Sequence, residues 1–217
     1  MWEVVNLIPT KEEWNTALIE RHGIDTQQQF SSATVAICGL GGLGSNIAIS
    51  LAHAGIGKLI LVDFDKVDIT NLHRQQYKVS QIGKFKTEAL NENLKEIAPY
   101  LEIETHTVRI DENNAIARLK SADVICEAFD SAECKAQLTD VVLTKMSDKY
   151  LVAASGMAGL KSPNSIRTRR ITSRFYLCGD EVSDVKDSIG LVAPQVMLCA
   201  AHQAQTVLRI IAGEFEV

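Results

Sequence analysis

The chain has 217 residues, of which 46% are hydrophobic and 23% are charged, the composition of an ordinary folded globular protein. Its formal net charge of −5 argues against nucleic acid as a partner, and no apolar run approaches the roughly 20 residues that a membrane span needs. The first residues lack the basic start and apolar stretch of a secretory signal, so the cytoplasm is the expected compartment.

The N-terminal region is predicted to be helical. A capping-box pattern at Thr10 and Glu13 begins one helix, and a shorter helical piece follows it. We therefore expect a single domain over residues 1–217, in which residues 1–32 form a helical extension. This extension either packs on the outside of the domain or reaches a neighbouring subunit.

A glycine-rich turn follows the first predicted strand. Gly39, Gly41 and Gly44 fit the pattern G-x-G-x-x-G, between an apolar strand and a helix expected over residues 46–54. Glycine lets the backbone approach a phosphate, and N–H groups at the helix start point at the anion. Asp63 ends the next strand, where a carboxylate can accept hydrogen bonds from ribose hydroxyls. The pattern predicts a nucleotide site, the alternative being a tight turn without a ligand, but nicotinamide enzymes share this unit.

Groups suited to phosphate follow that second strand. Asp65, Asn71 and Arg74 belong to a polar segment at its carboxyl end, where open α/β sheets bind ligands. Lys86 lies near the start of the next predicted helix, where a cation is unfavourable against the helix dipole. A lysine in that place suggests a bound anion. The alternative is that Lys84 and Lys86 both point into water.

A second acidic position closes a later strand. The strand predicted over residues 122–129 is followed by Asp130, and Ser131 caps a long helix over residues 132–147. Parallel strands end at one edge of a sheet, so Asp130 is expected near Gly41. A carboxylate there can hold Mg²⁺ on a triphosphate. The alternative is a helix-capping acid.

The last third of the chain adds two strands and a helix. A strand is predicted over residues 150–154, an alternating basic strand over 165–171, a charged mobile loop over 180–188 and a helix over 195–212. We interpret the basic strand as a solvated face rather than a docking surface for an acidic partner. The helix is apolar around most of its circumference, which favours burial in the core or at a dimer interface.

The order of elements predicts the fold class. Strands alternate with helices along most of the chain, which indicates an α/β, Rossmann-like fold. We expect a mostly parallel sheet flanked by helices, with antiparallel additions at the C-terminal end.

Five cysteines lie at positions 38, 126, 134, 178 and 199. None forms a C-x-x-C pair, which predicts free thiols and no structural zinc site. Cys38, Cys126 and Cys199 lie in apolar runs and are expected in the core. Cys178 falls where a loop is expected, and it is the one cysteine that we consider for chemistry.

Five motifs occur in fixed order: Gly39-Leu-Gly-Gly-Leu-Gly-Ser45, Asp63-Phe-Asp65, Asn71-Leu-His-Arg74-Gln75, Gly83-x-x-Lys86 and Phe129-Asp130-Ser131. Together they resemble the ThiF/MoeB/HesA family, which is related to ubiquitin-activating enzymes. Ser155-Gly156 and Gly190-Leu-Val-Ala-Pro194 extend the match, which runs from about Arg21 to the end. The length and Cys178-Gly-Asp180 are most similar to the ThiF-type enzymes of thiamine biosynthesis.

The resemblance implies a reaction. ATP and Mg²⁺ activate the C-terminal glycine carboxylate of a ubiquitin-like sulfur carrier protein, ThiS-like and ending in Gly-Gly, in thiamine thiazole biosynthesis. The carboxylate attacks the α-phosphate, giving an acyl-adenylate and pyrophosphate. The family also implies a homodimer.

The family pattern further implies a role for each matching residue. Arg74, Lys86 and Asp130 are the expected catalytic residues, of which the first two neutralise phosphate charge and Asp130 holds magnesium. The expected nucleotide-binding residues are Gly41, Gly42, Asp63, Asp65, Asn71, Arg74, Gln75, Lys86, Asp130 and Ser131.

Several family features are missing or ambiguous. Many relatives carry two C-x-x-C zinc pairs, which this chain lacks, so no zinc is expected. Many extend an N-terminal arginine into the partner's site, for which Arg21 is the nearest candidate. Some use a downstream cysteine in sulfur transfer, and Cys178 lies in roughly that region.

Other functions stay open at this point. The enzyme could activate a MoaD-like carrier, a small molecule or a tRNA-borne carboxylate instead. A non-catalytic docking partner of a ubiquitin-like protein and a dinucleotide-dependent oxidoreductase are the alternatives from other classes.

Overall fold

A computed structural model describes residues 8–186 and 189–217. The helices are α1 Lys11–His22, α2 Ile24–Ser32, α3 Gly42–His53, α4 Lys86–Ile97, α5 Ala115–Leu119, α6 Ala132–Lys145 and α7 Ala193–Ile211. The strands are β1 Thr34–Cys38, β2 Lys58–Val62, β3 Glu102–His106, β4 Val124–Glu127, β5 Tyr150–Ala154, β6 Arg167–Arg170 and β7 Phe175–Gly179. No helix within the described ranges has both the length and the apolarity to cross a membrane.

The strands form one sheet in the order β3-β2-β1-β4-β5-β7-β6. Neighbouring strands are parallel except β6, which runs antiparallel to β7. This confirms the Rossmann-like α/β class, the mostly parallel sheet and the antiparallel addition at the C-terminal end. Cys38 of β1 pairs in register with Val62 of β2 and Glu127 of β4, so these three strands end at the same level.

The core follows from the apolar strands. Residues on both faces of β1 and β2 are buried, because helices cover each side of a parallel sheet. On one side Leu51 of α3 and Val207 of α7 pack into a cluster with β1. On the other side Leu119 of α5 and Leu138 of α6 complete a second cluster.

Two element boundaries differ from expectation in ways that matter for the site. Helix α3 begins at Gly42 rather than at residue 46, because the chain enters the helix directly from Gly41. Residues 176–180, where a loop is expected, lie mostly in strand β7. Its backbone pairs with β5 on one side and β6 on the other, a partnership that local sequence does not reveal.

One face of helix α7 is buried in the core and the other face is exposed. Val196, Cys199 and Val207 are buried, whereas Met197 is 47% exposed and Gln205 is exposed. The expectation of burial in the core is therefore correct for one face.

The arginines of β6 are mostly paired. Arg169 forms an ion pair with Glu181, and Arg170 pairs with Glu216 at 2.7 Å. These pairs favour the interpretation as a solvated strand face. The loop expected over residues 180–188 is described as far as Lys186, and residues 187 and 188 lie outside the described residues.

Candidate active site

The sheet has a switch point between β1 and β4. The chain passes from β1 to β2 and β3 on one side, and continues with β4 and β5 on the other. Ligands of open α/β sheets bind outside the carboxyl ends of the strands at such a point. The glycine turn after β1, Asp63 after β2 and Asp130 after β4 lie at this edge, as the sequence predicts.

Two glycines make the turn possible. Gly39 has a φ of +91°, and a Cβ atom there would lie 2.7 Å from the carbonyl oxygen of Ala128. A Cβ on Gly44 would lie 1.8 Å from the carbonyl oxygen of Gly39. Backbone therefore packs directly on backbone at both positions.

Gly41 has a different environment. The nearest atom to a Cβ at this position is Nε2 of Gln75, at 3.7 Å. Gly41 is the N-cap of α3 and supplies no side-chain cap, so N–H groups of the first helical turn are available to a ligand. Open space beside uncapped N–H groups fits a phosphate.

The turn is held by two buried side chains. Asp63 is 7% exposed; its Oδ2 accepts a hydrogen bond from the N–H of Leu40 at 2.6 Å, and its Oδ1 accepts one from the N–H of Asp65 at 2.7 Å. Burial raises the pKa of the Asp63 carboxyl, while nearby Lys86 and the two N–H donors oppose that rise. The hydroxyl of Tyr77 donates to the carbonyl oxygen of Leu40 at 2.7 Å.

Asp63 thus has a structural task that its sequence position did not indicate. A carboxylate offers about four lone-pair sites, so two remain after the N–H groups of Leu40 and Asp65 are bound. The ribose contact of Asp63 stays a prediction.

Lys86 is directed into the protein. Its Nζ lies 2.9 Å from Oδ2 of Asp65, and its own N–H donates to the carbonyl oxygen of Asp65 at 2.9 Å. The Lys86 side chain is 8% exposed, whereas that of Asp65 is 49% exposed. The alternative in which both lysines point into water is wrong for Lys86; Lys84 pairs with Glu92 at the surface.

Arg74 and Gln75 lie against the glycine turn. A Cβ on Gly42 would be 3.5 Å from Cγ of Arg74, and Nε2 of Gln75 is near Gly41. Nε of Arg74 and Oε1 of Gln75 are buried without a hydrogen-bond partner among the described residues. Unpartnered polar atoms beside an open glycine suit a polar ligand.

Asn71 is used locally. Its Oδ1 accepts from the N–H of Asp68 at 3.3 Å, which caps the short 3₁₀ helix over Ile69–Asn71. A phosphate contact by Asn71 stays a prediction.

A side-chain network that the sequence did not indicate positions Arg74. Nδ2 of Asn46, in α3, donates to the carbonyl oxygens of Gly42 at 2.6 Å and Arg74 at 3.3 Å. Nε2 of Gln76 donates to Oδ1 of Asn46 at 2.7 Å, and the N–H of Gln76 donates to the hydroxyl of Ser45 at 3.1 Å. The available signal was two polar residues at the start of an apolar helix.

Asp130 and Ser131 are neighbours in the chain but differ in their contacts. Asp130 is exposed, and its carboxylate makes no hydrogen bond or ion pair with any described residue. Ser131 is the N-cap of α6, where its hydroxyl accepts from the N–H of Cys134 at 3.5 Å. Ser131, not Asp130, therefore caps the helix. A free carboxylate at this edge is the oxygen ligand that Mg²⁺ prefers.

A buried ion pair lies next to the residues that connect β4 to α6, which include Asp130. Glu127 is 1% exposed, and its Oε2 lies 3.0 Å from Nζ of Lys135. Oε1 of Glu127 also accepts from the N–H of Phe129, immediately before Asp130, at 2.7 Å. Burial raises the pKa of the Glu127 carboxyl, although Lys135 opposes the shift. A glutamate within an apolar run was the only sequence signal.

The structure corrects the expectation for Cys178. This residue lies in β7, not in a loop, and it is 0% exposed. Burial raises the pKa of its thiol, while hydrogen bonds to Thr168 and Thr206 act in the other direction. A buried protonated thiol is a poor nucleophile. Cys38, Cys126 and Cys199 are buried as expected.

Arg21 lies at the far end of the nucleotide-binding unit. Leu18 of the same helix approaches Gly55, just beyond the C-terminal end of α3. Helix α3 has 12 residues and is about 18 Å long, and the glycine turn is at its other end. Arg21 is therefore not part of the site in its own chain.

Sequence comparison with known proteins identifies the family of this chain. Residues 14–217 match the ThiF family. The chain is 30% identical over 200 residues to the adenylyltransferase and sulfurtransferase UBA4 of Candida glabrata, covering 89% of this chain and 46% of that protein. It is 34% identical over 125 residues to the adenylyltransferase and sulfurtransferase MOCS3 of Caenorhabditis briggsae, covering 57% of this chain and 31% of that protein. The chain spans about a third to a half of the length of these curated relatives.

Solved structures share the fold. The E. coli tRNA N6-threonylcarbamoyladenosine dehydratase TcdA in complex with AMP matches with a TM-score of 0.83 and 19% identity, covering 96% of this chain and 99% of that chain. E. coli MccB in complex with AMPCPP and MccA matches with a TM-score of 0.68 and 23% identity, covering 88% of this chain and 59% of that chain.

Proposed function

Because this chain belongs to the ThiF family, we propose that it adenylates the C-terminal carboxylate of a ubiquitin-like sulfur carrier protein, with ATP as the second substrate. The observation that supports this most is the convergence at one sheet edge of the open Gly41 turn, Arg74, Lys86 and the free Asp130 carboxylate. The curated relatives are named adenylyltransferases, and related folds have been solved with AMP and with ATP.

The reaction needs positioning and charge rather than a protein nucleophile. A carboxylate oxygen of the carrier attacks the α-phosphorus, and the bond to the pyrophosphate oxygen breaks. The phosphates bind at Gly41 and Gly42, where Arg74 and Lys86 stabilise the negative charge that moves toward the leaving group.

We assign the remaining nucleotide contacts to the other residues of the family pattern. Asp63 binds the ribose through its free lone pairs, and the amide of Gln75 binds a phosphate beside Gly41. The ion pair with Asp65 holds the ammonium group of Lys86 near the carboxyl edge of the sheet. Asn71 and Ser131 complete the nucleotide site.

Asp130 is the residue that would hold Mg²⁺. Asp130 fits this role because its carboxylate is exposed and forms no ion pair with a described side chain. When bound, Mg²⁺ supplies positive charge to the triphosphate. The Glu127–Lys135 pair holds the turn that presents Asp130.

We propose a ThiS-like carrier ending in Gly-Gly, hence a role in thiamine thiazole biosynthesis in the cytoplasm. The names of the curated relatives include sulfurtransferase, which agrees with a sulfur carrier but favours no particular one, so a MoaD-like carrier is the nearest alternative. A tRNA-borne carboxylate is the second candidate, because TcdA matches nearly the full length of both chains. The net charge of −5 and the paired arginines of β6 weigh against tRNA.

The test is ATP–pyrophosphate exchange. The purified chain is assayed with a ThiS-like carrier, a MoaD-like carrier, each carrier without its two terminal glycines, and unfractionated tRNA. Exchange that requires the intact tail of one carrier supports the proposal and identifies the carrier class. Exchange with tRNA alone would move the function to RNA modification. Absence of exchange with every substrate, while ATP still binds, would overturn carrier adenylation.

A further inference from the structure

Helix α7 runs toward the site along a polar face. Nε2 of Gln203 donates to the carbonyl oxygens of Glu127 at 3.0 Å and Val152 at 3.2 Å, and the thiol of Cys199 donates to the carbonyl oxygen of Cys178 at 3.7 Å. Residues four apart share one face of a helix. Gln195 therefore continues this face one turn beyond Cys199 and two turns, about 12 Å, beyond Gln203, toward the N-terminus of α7 and the carboxyl edge of the sheet.

Gln195 is a buried donor without a partner. The residue is 7% exposed, and its Nε2 has no hydrogen-bond partner among the described residues. The next residue, Val196, places Cγ1 only 2.9 Å from where a Cβ on Gly42 would lie. The first turn of α7, which carries Gln195, is therefore close to the glycine turn.

The N-terminus of α7 is a second feature that favours a bound anion near Gln195. The N-cap Val192 has no side chain that can accept from the first turn, and the helix has 19 residues. Pro194 has no N–H, but the N–H groups of Ala193 and Gln195 and the dipole of the helix favour an anion. A helix start and a buried unpartnered amide donor thus occur in the same helical turn, close to Gly42.

We propose that Gln195 and the first turn of α7 bind the carboxylate that becomes adenylated. This inference rests on the proposed function and adds the subsite for the acyl substrate. The nucleotide residues Gly41, Arg74 and Lys86 approach from the β1 and β2 side of the switch point. Hydrogen bonds to carbonyl groups of β4, β5 and β7 hold helix α7 on the other side. In this proposal the carboxylate approaches the α-phosphorus from the side of α7.

The amide has a defined task in this step. Nε2 of Gln195 donates to the carboxylate oxygen that does not attack, and the other oxygen forms the bond to phosphorus. The bond between phosphorus and the pyrophosphate oxygen breaks, and pyrophosphate leaves with the electron pair. No proton transfer is required, because the nucleophile is already ionised.

The first test observes the amide directly. The side-chain ¹⁵N–¹H signal of Gln195 is assigned by its loss in Gln195→Met and is followed in the full chain with a non-hydrolysable ATP analogue. Glycylglycine should shift this signal, and glycylglycinamide, which lacks the carboxylate, should not. A signal that glycylglycine leaves unmoved, or that both compounds move equally, would overturn the subsite. A selective shift without any pyrophosphate exchange would keep the subsite and reject carrier adenylation.

The second test separates substrate binding from structure. Gln195→Met removes the unpartnered donor at nearly constant volume, so we expect an unchanged or higher Tm. In the exchange assay the KM for the carrier should rise about 10- to 100-fold, as for a lost hydrogen bond to a charged group, while the KM for ATP stays unchanged. The matched control is Gln205→Met, on the exposed face of the same helix. A lower Tm with both KM values unchanged would mean that Gln195 is only structural.

Discussion

Two aspartates at the carboxyl edge differ in burial, and this difference separates their roles. Asp63 is buried and accepts N–H groups of Leu40 and Asp65, so it shapes the turn before it can meet a ligand. Asp130 is exposed and free of partners among the described residues, so its charge is available to a cation. Their sequence settings, each just past a strand, are nearly the same.

Asp130→Ala should remove activity without affecting the fold. We expect pyrophosphate exchange to fall by about 10²-fold or more, the loss seen when one electrostatic group is removed from a transition state. The unfolding free energy should stay within about 0.5 kcal/mol, because the side chain is exposed and unpaired. Exchange kinetics and urea unfolding measure the two quantities.

The matched control for this change is Asp140→Ala, an exposed aspartate further along α6. It should have wild-type exchange and stability. Wild-type exchange in Asp130→Ala would remove Asp130 from the site.

The cysteines should react in the order of their exposure. Burial raises the pKa of the Cys178 thiol, and it raises that of Cys199 to about 12. A thiol whose pKa is raised holds less thiolate at any given pH below that pKa, so iodoacetamide at pH 8 should spare both residues. Cys134 is the partly exposed cysteine and should be alkylated first. Mass spectrometry of the native chain measures the order.

Cys178→Ser should keep pyrophosphate exchange at the wild-type rate, because the thiol is fully buried and contacts the hydroxyl groups of Thr168 and Thr206. Early alkylation of Cys178, or a large loss of exchange in the serine variant, would restore it as a candidate for chemistry.

The start of α3 combines two kinds of glycine. Gly39 and Gly44 are needed because backbone occupies the space of a side chain, whereas Gly41 adjoins open space. The first kind is required by the fold, and the second kind leaves room for a ligand.

Substitutions at these positions should therefore separate folding from binding. Gly44→Ala should destabilise the protein by about 3 kcal/mol or more, since its Cβ would overlap the carbonyl oxygen of Gly39. Gly41→Ala should change stability by less than about 1 kcal/mol and weaken ATP binding about tenfold or more. Urea unfolding and calorimetric titration with ATP measure these effects. Equal ATP affinity in Gly41→Ala would mean that no phosphate approaches this glycine.

Across the whole molecule, two loops beside the edge expose apolar side chains. Leu160, Val182 and Ile189 are 79%, 76% and 69% exposed. The loops that contain them are joined by hydrogen bonds, one of which runs from the N–H of Ala158 to the hydroxyl of Ser183 at 2.9 Å. Exposed apolar patches often mark protein interfaces.

The assembled protein should be a homodimer, as the family resemblance implies. Size-exclusion chromatography with light scattering should give twice the 23.8 kDa of one chain. A strictly monomeric protein that still catalyses exchange at full rate would contradict this prediction.

What the sequence by itself determined was local or periodic. Apolar runs indicated most strands, glycine spacing located the turn, and charged residues after β2 and β4 indicated the carboxyl edge of the sheet, after whose strands Asp63 and Asp130 follow. These features are predictable because a strand end, a helix start or a turn depends on residues that are neighbours in the chain.

Only the tertiary structure decided which groups are buried and paired. The buried position of Cys178 in β7, the Glu127–Lys135 pair, and the unpartnered amide of Gln195 all depend on contacts between distant segments. Burial and pairing change the pKa and the availability of a side chain, yet they arise from packing rather than from the order of residues along the chain.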